Sequence, residues 1–182
     1  MHSTPAPQAD AFPGLSHLPP AEREALLIKC WMSHDARWFM AAAQTCGMTV
    51  TNRINQAAAR EEGKVEAGRI ARALRWPPIT SVDDFLAAQT ALIEFLGPDL
   101  LDCAISGREG DTFEIEVRRC FAYDNVVRAG VADQYDCGIF ARVEGWLDGL
   151  SLEARIAPAL GKCLMSQGRP CRHLVSIQAK AR

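Results

Sequence analysis

Apolar and polar positions change period along this chain, and the changes predict its elements. Between Ala21 and about Ala43, Leu27, Trp31, His34 and Trp38 fall at i, i+4, i+7 and i+11, one face of a helix. Glu22 and Glu24 sit in its first turn, where negative charge suits the helix dipole, and Gly47 suits its end. A second helix is expected from Thr49 or Thr51 through Asn52 and Asn55. Gly63 and Gly68 weaken the next stretch, and a third helical piece should end at Trp76, since Pro77 and Pro78 cannot continue it. Ser81 and Asp84 form a capping-box pattern that opens a helix through Phe85, Leu92 and Phe95 to Gly97.

The period then drops to two. Leu101, Cys103 and Ile105 alternate with polar or small residues, and Phe113, Ile115 and Val117 alternate with charged ones. With Gly107 to Gly110 as the turn, this predicts a β-hairpin with one buried face. A short helix follows Cys120, and another opens at Cys137 with Ile139, Phe140, Val143, Trp146 and Leu147 on its apolar side. Leu152, Ala154 and Ile156 predict a third strand. Cys171, His173, Val175 and Ile177 form one face of a last strand. The fold class is therefore α+β: N-terminal helices packed on a small antiparallel sheet. Residues 1–20 hold five prolines and read as a disordered leader, and 21–182 as one domain.

Composition removes several functions. Twenty basic against 22 acidic residues leave a net charge of −2, which gives no reason to expect nucleic acid or an anionic membrane as partner. No apolar run approaches a membrane span, and the first twenty residues lack the apolar core of a signal peptide. A cytoplasmic location is expected, where thiols stay reduced. The sequence does not fix the oligomeric state and leaves a homodimer open.

Seven cysteines then become the centre of interest. Taken singly, a free cysteine is a small hydrophobe, and Cys30, Cys46 and Cys103 read as packing residues. Cys120, Cys137, Cys163 and Cys171 are spaced C-x16-C-x25-C-x7-C, without the close pairs of familiar zinc modules. They sit at predicted element ends, where ligands from distant segments can converge on zinc. His173 is the first substitute, sharing a strand face with Cys171. Separate core and loop thiols are the alternative. His34 has two readings as well: a core histidine with one hydrogen bond, or, with Asp35, a base or metal ligand at a pocket wall lined by Trp31, Trp38, Asn52 and Asn55.

The segment Cys30-Trp-Met-Ser-His-Asp-Ala-Arg-Trp-Phe39 resembles the W-M-x-H-D-G-R-W-F signature of an uncharacterised family of bacterial cytosolic proteins, with Ala36 where glycine is usual. Gly47 to Asn55 is similar to that family's G-x-x-x-A-N-x-L-N, with Thr51 where alanine is usual. Cys120-Phe121 stands at its Cys-Pro, Tyr135-Asp136-Cys137 resembles its Tyr-Pro-Cys, and Cys163 and Cys171 match its last two cysteines. Its Cys-Pro-Pro-Asp element is absent here. The layout is distantly similar to L-2-amino-thiazoline-4-carboxylate hydrolase-like proteins and to the 4-vinyl reductase-type small-molecule-binding domain. These resemblances imply a small-ligand pocket in a cysteine-lined domain. The expected function is a small-molecule-binding domain with a zinc-type site, the alternative a metal-assisted hydrolase of a small cyclic amide or amidine.

Overall fold

The structure, a computed structural model, describes residues 14–97 and 99–178. Most of the expected leader, residues 1–13, lies outside the described residues. Its remainder makes a 3-10 turn at Leu15–His17, and helix α1 begins at Pro20. The chain divides into two compact units, Met1–Ala41 and Ala42–Arg182.

In the first unit, α1 (Pro20–Cys46, running past the unit's end) buries Phe39 alone. The burial expected for the Leu27, Trp31, His34 and Trp38 face is not found. Leu27 is 70% exposed, Trp31 39% and Trp38 46%, and His34 is exposed too. Helical spacing identifies side chains that share a face. It does not supply the element that would cover them.

The second unit is α+β. Helices α2 (Met48–Ala73), α3 (Val82–Leu96), α4 (Phe121–Arg128) and α5 (Ile139–Gly149) accompany strands β1 (Leu101–Glu109), β2 (Thr112–Cys120), β3 (Glu153–Ala157) and β4 (Cys171–Gln178). The strands form one antiparallel sheet in the order β1-β2-β4-β3. Its inner face carries Phe113, Ile115 and Val117 of β2 and Cys171, His173, Val175 and Ile177 of β4. These join Phe85, Leu92 and Leu96 of α3 and Phe140, Val143, Trp146 and Leu147 of α5 in one core. The capping box at Ser81 and Asp84 forms as the sequence predicts. Among the described residues no helix is long and apolar enough to cross a membrane.

Two expectations about α2 are corrected. It is one continuous helix, and Gly63 is in it because α5 passes too close for a side chain: a Cβ there would meet the Arg142 carbonyl oxygen at 2.2 Å. On α5, a Cβ at Gly145 would meet the Arg60 carbonyl oxygen at 2.0 Å, and one at Gly149 that of Lys64 at 2.5 Å. Three glycines thus bring the two backbones together, and that contact offsets the helix-propensity cost of glycine. Beside them the buried Glu66 carboxylate accepts from Arg142 at 2.6 and 2.8 Å and from Trp146 Nε1 at 2.8 Å. A charge that deep is tolerable only with such partners.

Both helices end in Schellman geometry with a non-glycine residue in the left-handed position. These residues are Arg75 (φ 54°) after α2 and Ser151 (φ 60°) after α5. The hairpin turn falls at Gly110-Asp111. Gly107, at φ 58°, sits in a register irregularity between Ser106 and Glu109, so β1 runs further than its alternation suggested.

Candidate functional site

The four cysteines singled out above all lie in the second unit and all are buried. Four different segments deliver them.

Cys120 owes its position to a bulge. Asp102 pairs with Arg119, but Cys103 pairs with Val117, so Arg118 is an extra residue on β2. Strict alternation from the buried Val117 would send Cys120 to the outer face. The extra residue resets the pleat, and Cys120 turns inward, 7% exposed, at the N-cap of α4.

Cys137 and Cys163 are brought together by one antiparallel bridge, Asp136 to Lys162. The Cys137 N–H donates to the Gly161 carbonyl at 2.7 Å, and the Cys163 N–H to the Tyr135 carbonyl at 3.1 Å. The two cysteines therefore stand on one face of the bridge, diagonal to each other. Helix α2 holds this segment from behind. Asn52, 2% exposed, donates from Nδ2 to the Gln134 carbonyl at 2.7 Å and accepts from the Asp136 N–H at 3.2 Å. Gln56 donates to the Cys137 carbonyl at 3.2 Å, and the Gly138 N–H donates to the Tyr135 hydroxyl at 3.1 Å. A Cβ on Gly138 would stand 2.7 Å from Asn55 Nδ2, so Asn55 packs against the same turn.

Cys171 begins β4 opposite Val117, the last inward residue of β2 before the bulge. His173 follows on the same face. Its ring stacks on Phe140 at a centroid distance of 3.7 Å, and it bonds to the Pro158 backbone. Its Nδ1 is buried without a hydrogen-bond partner.

The electrostatics tie these positions into one cluster. A thiolate at Cys163 would oppose ionisation of Cys120, thiolates at Cys163 and Cys120 that of Cys137, and thiolates at the other three that of Cys171, so every pair lies near enough to interact. Burial is the main cause that pushes the Cys120 thiol up to about 11, and Cys137 and Cys171 up to about 12. Amides at helix N-termini act in the opposite direction. Those of Tyr123 and Ala122 favour the Cys120 thiolate, though no cap hydrogen bond is formed, and those of Phe140 and Ile139 favour that of Cys137. Among the described residues, however, no three His, Cys, Asp or Glu side chains stand as a ready-made metal cage. The thiols converge without closing.

The other expected site residues distribute differently. Asn52 and Asn55 belong to the support of the Cys137 turn. Trp31, His34, Asp35 and Trp38 lie in the first unit, where Trp31 and Asp35 have interactions of their own. Cys30 and Cys46 are exposed, so the expectation that they pack is not met; Cys103 is half-buried at the sheet edge. Sequence reasoning missed Gln56, and it carried Tyr135 only within the Tyr-Asp-Cys resemblance; both brace the turn. The signal available for Gln56 was its i+4 spacing from Asn52 on one helical face. No family model and no curated protein matches the chain.

Proposed function

We propose that the protein is a small-molecule-binding domain whose four cysteines, Cys120, Cys137, Cys163 and Cys171, together hold one thiophilic metal ion, zinc by ligand chemistry. The observation that supports this is the mutual interaction of four buried thiols from four separate segments. Four sulfur donors suit tetrahedral zinc, and a buried site with helix-terminal amides beside two of them favours the thiolates that the metal needs. Closure on the ion requires changes of cysteine rotamer, since no cage stands ready. A metal bound by all four thiols is structural: it ties the end of β2, the Cys137 turn, the Cys163 loop and the start of β4 together.

Metal-assisted hydrolysis is the second reading. It needs an open coordination position, and the buried, unpartnered Nδ1 of His173 beside Cys171 is what favours it.

Metal analysis of protein purified under reducing conditions tests the proposal. One zinc per chain is expected, with X-ray absorption giving four sulfurs at about 2.3 Å. Three sulfurs plus nitrogen or oxygen would transfer support to the hydrolase reading. Absence of zinc, together with failure to compete for added Zn²⁺ against a weak chelator, would overturn the metal reading. Retention of full affinity in Cys137→Ser and Cys163→Ser would do the same.

A further inference from the structure

A polar groove of about 660 Å³ lies where the C-terminal end of α5 meets β3, wholly within the second unit. That volume is in the range of small-molecule sites. The groove is separate from the thiols: Ser176, on its wall, is five residues along β4 from Cys171, about 17 Å of extended strand.

Its charges are unevenly committed. Asp148 is bonded to Arg60 at 2.7 and 3.3 Å, and Glu153 is engaged in an interaction of its own. Lys64 on α2 and Arg155 on β3 have neither an ion pair nor a side-chain hydrogen bond among the described residues. The two cations left to the groove thus face its space with their charge unmatched. Two hydroxyls also line the groove. Ser176 pairs across the strands with Arg155 and shares a 2.8 Å hydrogen bond with Thr112. Ser151 stands in the left-handed position that closes α5.

The helix C-terminus opposes an anion, but its capping weakens that effect. The Leu152 N–H donates to the Leu147 carbonyl at 2.9 Å and the Ser151 N–H to the Asp148 carbonyl at 3.1 Å, which occupies two of the free carbonyls. Glycine is the residue that fits the Ser151 backbone best, and the serine hydroxyl is what the strained choice adds. Arg75 holds the equivalent place after α2 but does not line the groove.

We propose that this groove binds a small organic anion, with Lys64 and Arg155 meeting its carboxylate or phosphate group and the Ser151 and Ser176 hydroxyls bonding to it. The site stands independently of the metal reading.

The test is titration of the full chain at constant ionic strength with succinate, glycerol phosphate and the uncharged succinamide, followed by calorimetry and amide chemical shifts. Saturable binding of one or both anions is expected, with shifts at residues 151–155 and 176, and none with succinamide. The anion that binds more tightly separates a carboxylate ligand from a phosphate ligand. Lys64→Ala and Arg155→Ala should each weaken binding about tenfold. Both side chains are exposed, so the fold should survive. Ser151→Gly should weaken binding while raising the melting temperature, a combination that a purely structural serine would not give. The proposal is overturned if neither anion binds saturably or if succinamide binds equally well. It is also overturned if the lysine and arginine variants bind like the parent.

Discussion

Cys137 and Cys163 lie diagonally across the single antiparallel bridge that joins Asp136 to Lys162, on one face of it. Twenty-five residues separate them in sequence, yet two backbone hydrogen bonds set their spacing. The bridge is in turn held by Asn52 from near the N-terminal end of α2. The thiol cluster is therefore supported by backbone pairing and a buried amide.

Removing that amide should loosen the cluster. Asn52→Ala leaves the Gln134 carbonyl and the Asp136 N–H without their partner, at a cost of about 1–3 kcal/mol. Urea unfolding of the metal-free protein measures this. Zinc affinity should fall as well, because the Cys137 turn loses its anchor. A variant with parental stability and affinity would show that the amide does not position the turn.

The Arg118 bulge predicts that the pairing of Cys120 with Leu101 matters and the Arg118 side chain does not. Arg118→Ala should leave metal binding unchanged, since the side chain is exposed. Deletion of Arg118 should remove the bulge yet leave Asp102 opposite Arg119 and Leu101 opposite Cys120, so Cys120 stays inward, two positions after Val117, and zinc binding should survive. Loss of zinc binding in a deletion variant that still folds would show that the pairing of Cys120 with Leu101 is not what sets its direction.

The raised thiols make stability depend on pH with a definite sign. In the metal-free folded chain Cys120, Cys137 and Cys171 keep their protons up to about 11–12, whereas an unfolded thiol loses its proton near 9. Their contribution is complete below about pH 9 and is lost as pH rises toward the folded values, because the unfolded state ionises first. Reduced, chelator-treated protein should show a falling urea midpoint between pH 8.5 and 10.5 (a range of about two units bracketing the unfolded thiol value). Zinc should reverse the trend. In the proposed site its ligands would be thiolates, so protons would compete with the metal and stability should fall on acidification. A flat alkaline profile without metal would contradict the burial of these groups.

At the α2–α5 contact, Glu66→Gln should destabilise strongly, by roughly 3–5 kcal/mol, because the buried Arg142 guanidinium loses its countercharge. Replacing both partners, Glu66→Met with Arg142→Met, should cost far less than the single change. Chemical denaturation of the three variants decides this. Equal losses in the single and double variants would mean that packing, and not charge, dominates there.

The periods of the sequence were enough for the α+β class, the Ser81 cap, the hairpin and the inward face of β4. Each depends on local backbone preference and on which residues avoid water, and both are written within a few residues. The four cysteines could be singled out from their places at element ends. Their convergence could not be read, because it depends on features with no local signature. The bulge at Arg118 turns Cys120 inward, a bridge of one residue pair aligns Cys137 with Cys163, and Asn52 reaches a turn 82 residues away. The glycines of α2 and α5 carry the same lesson. In sequence Gly63 looks like a weak point of a helix, and only the approach of Arg142 gives it a purpose. On α1 the limit runs the other way. Leu27, Trp31, His34 and Trp38 do share a helical face, but a shared face fixes only the relation of those residues to one another. Burial depends on what packs against them, and a helix's own sequence does not contain that information.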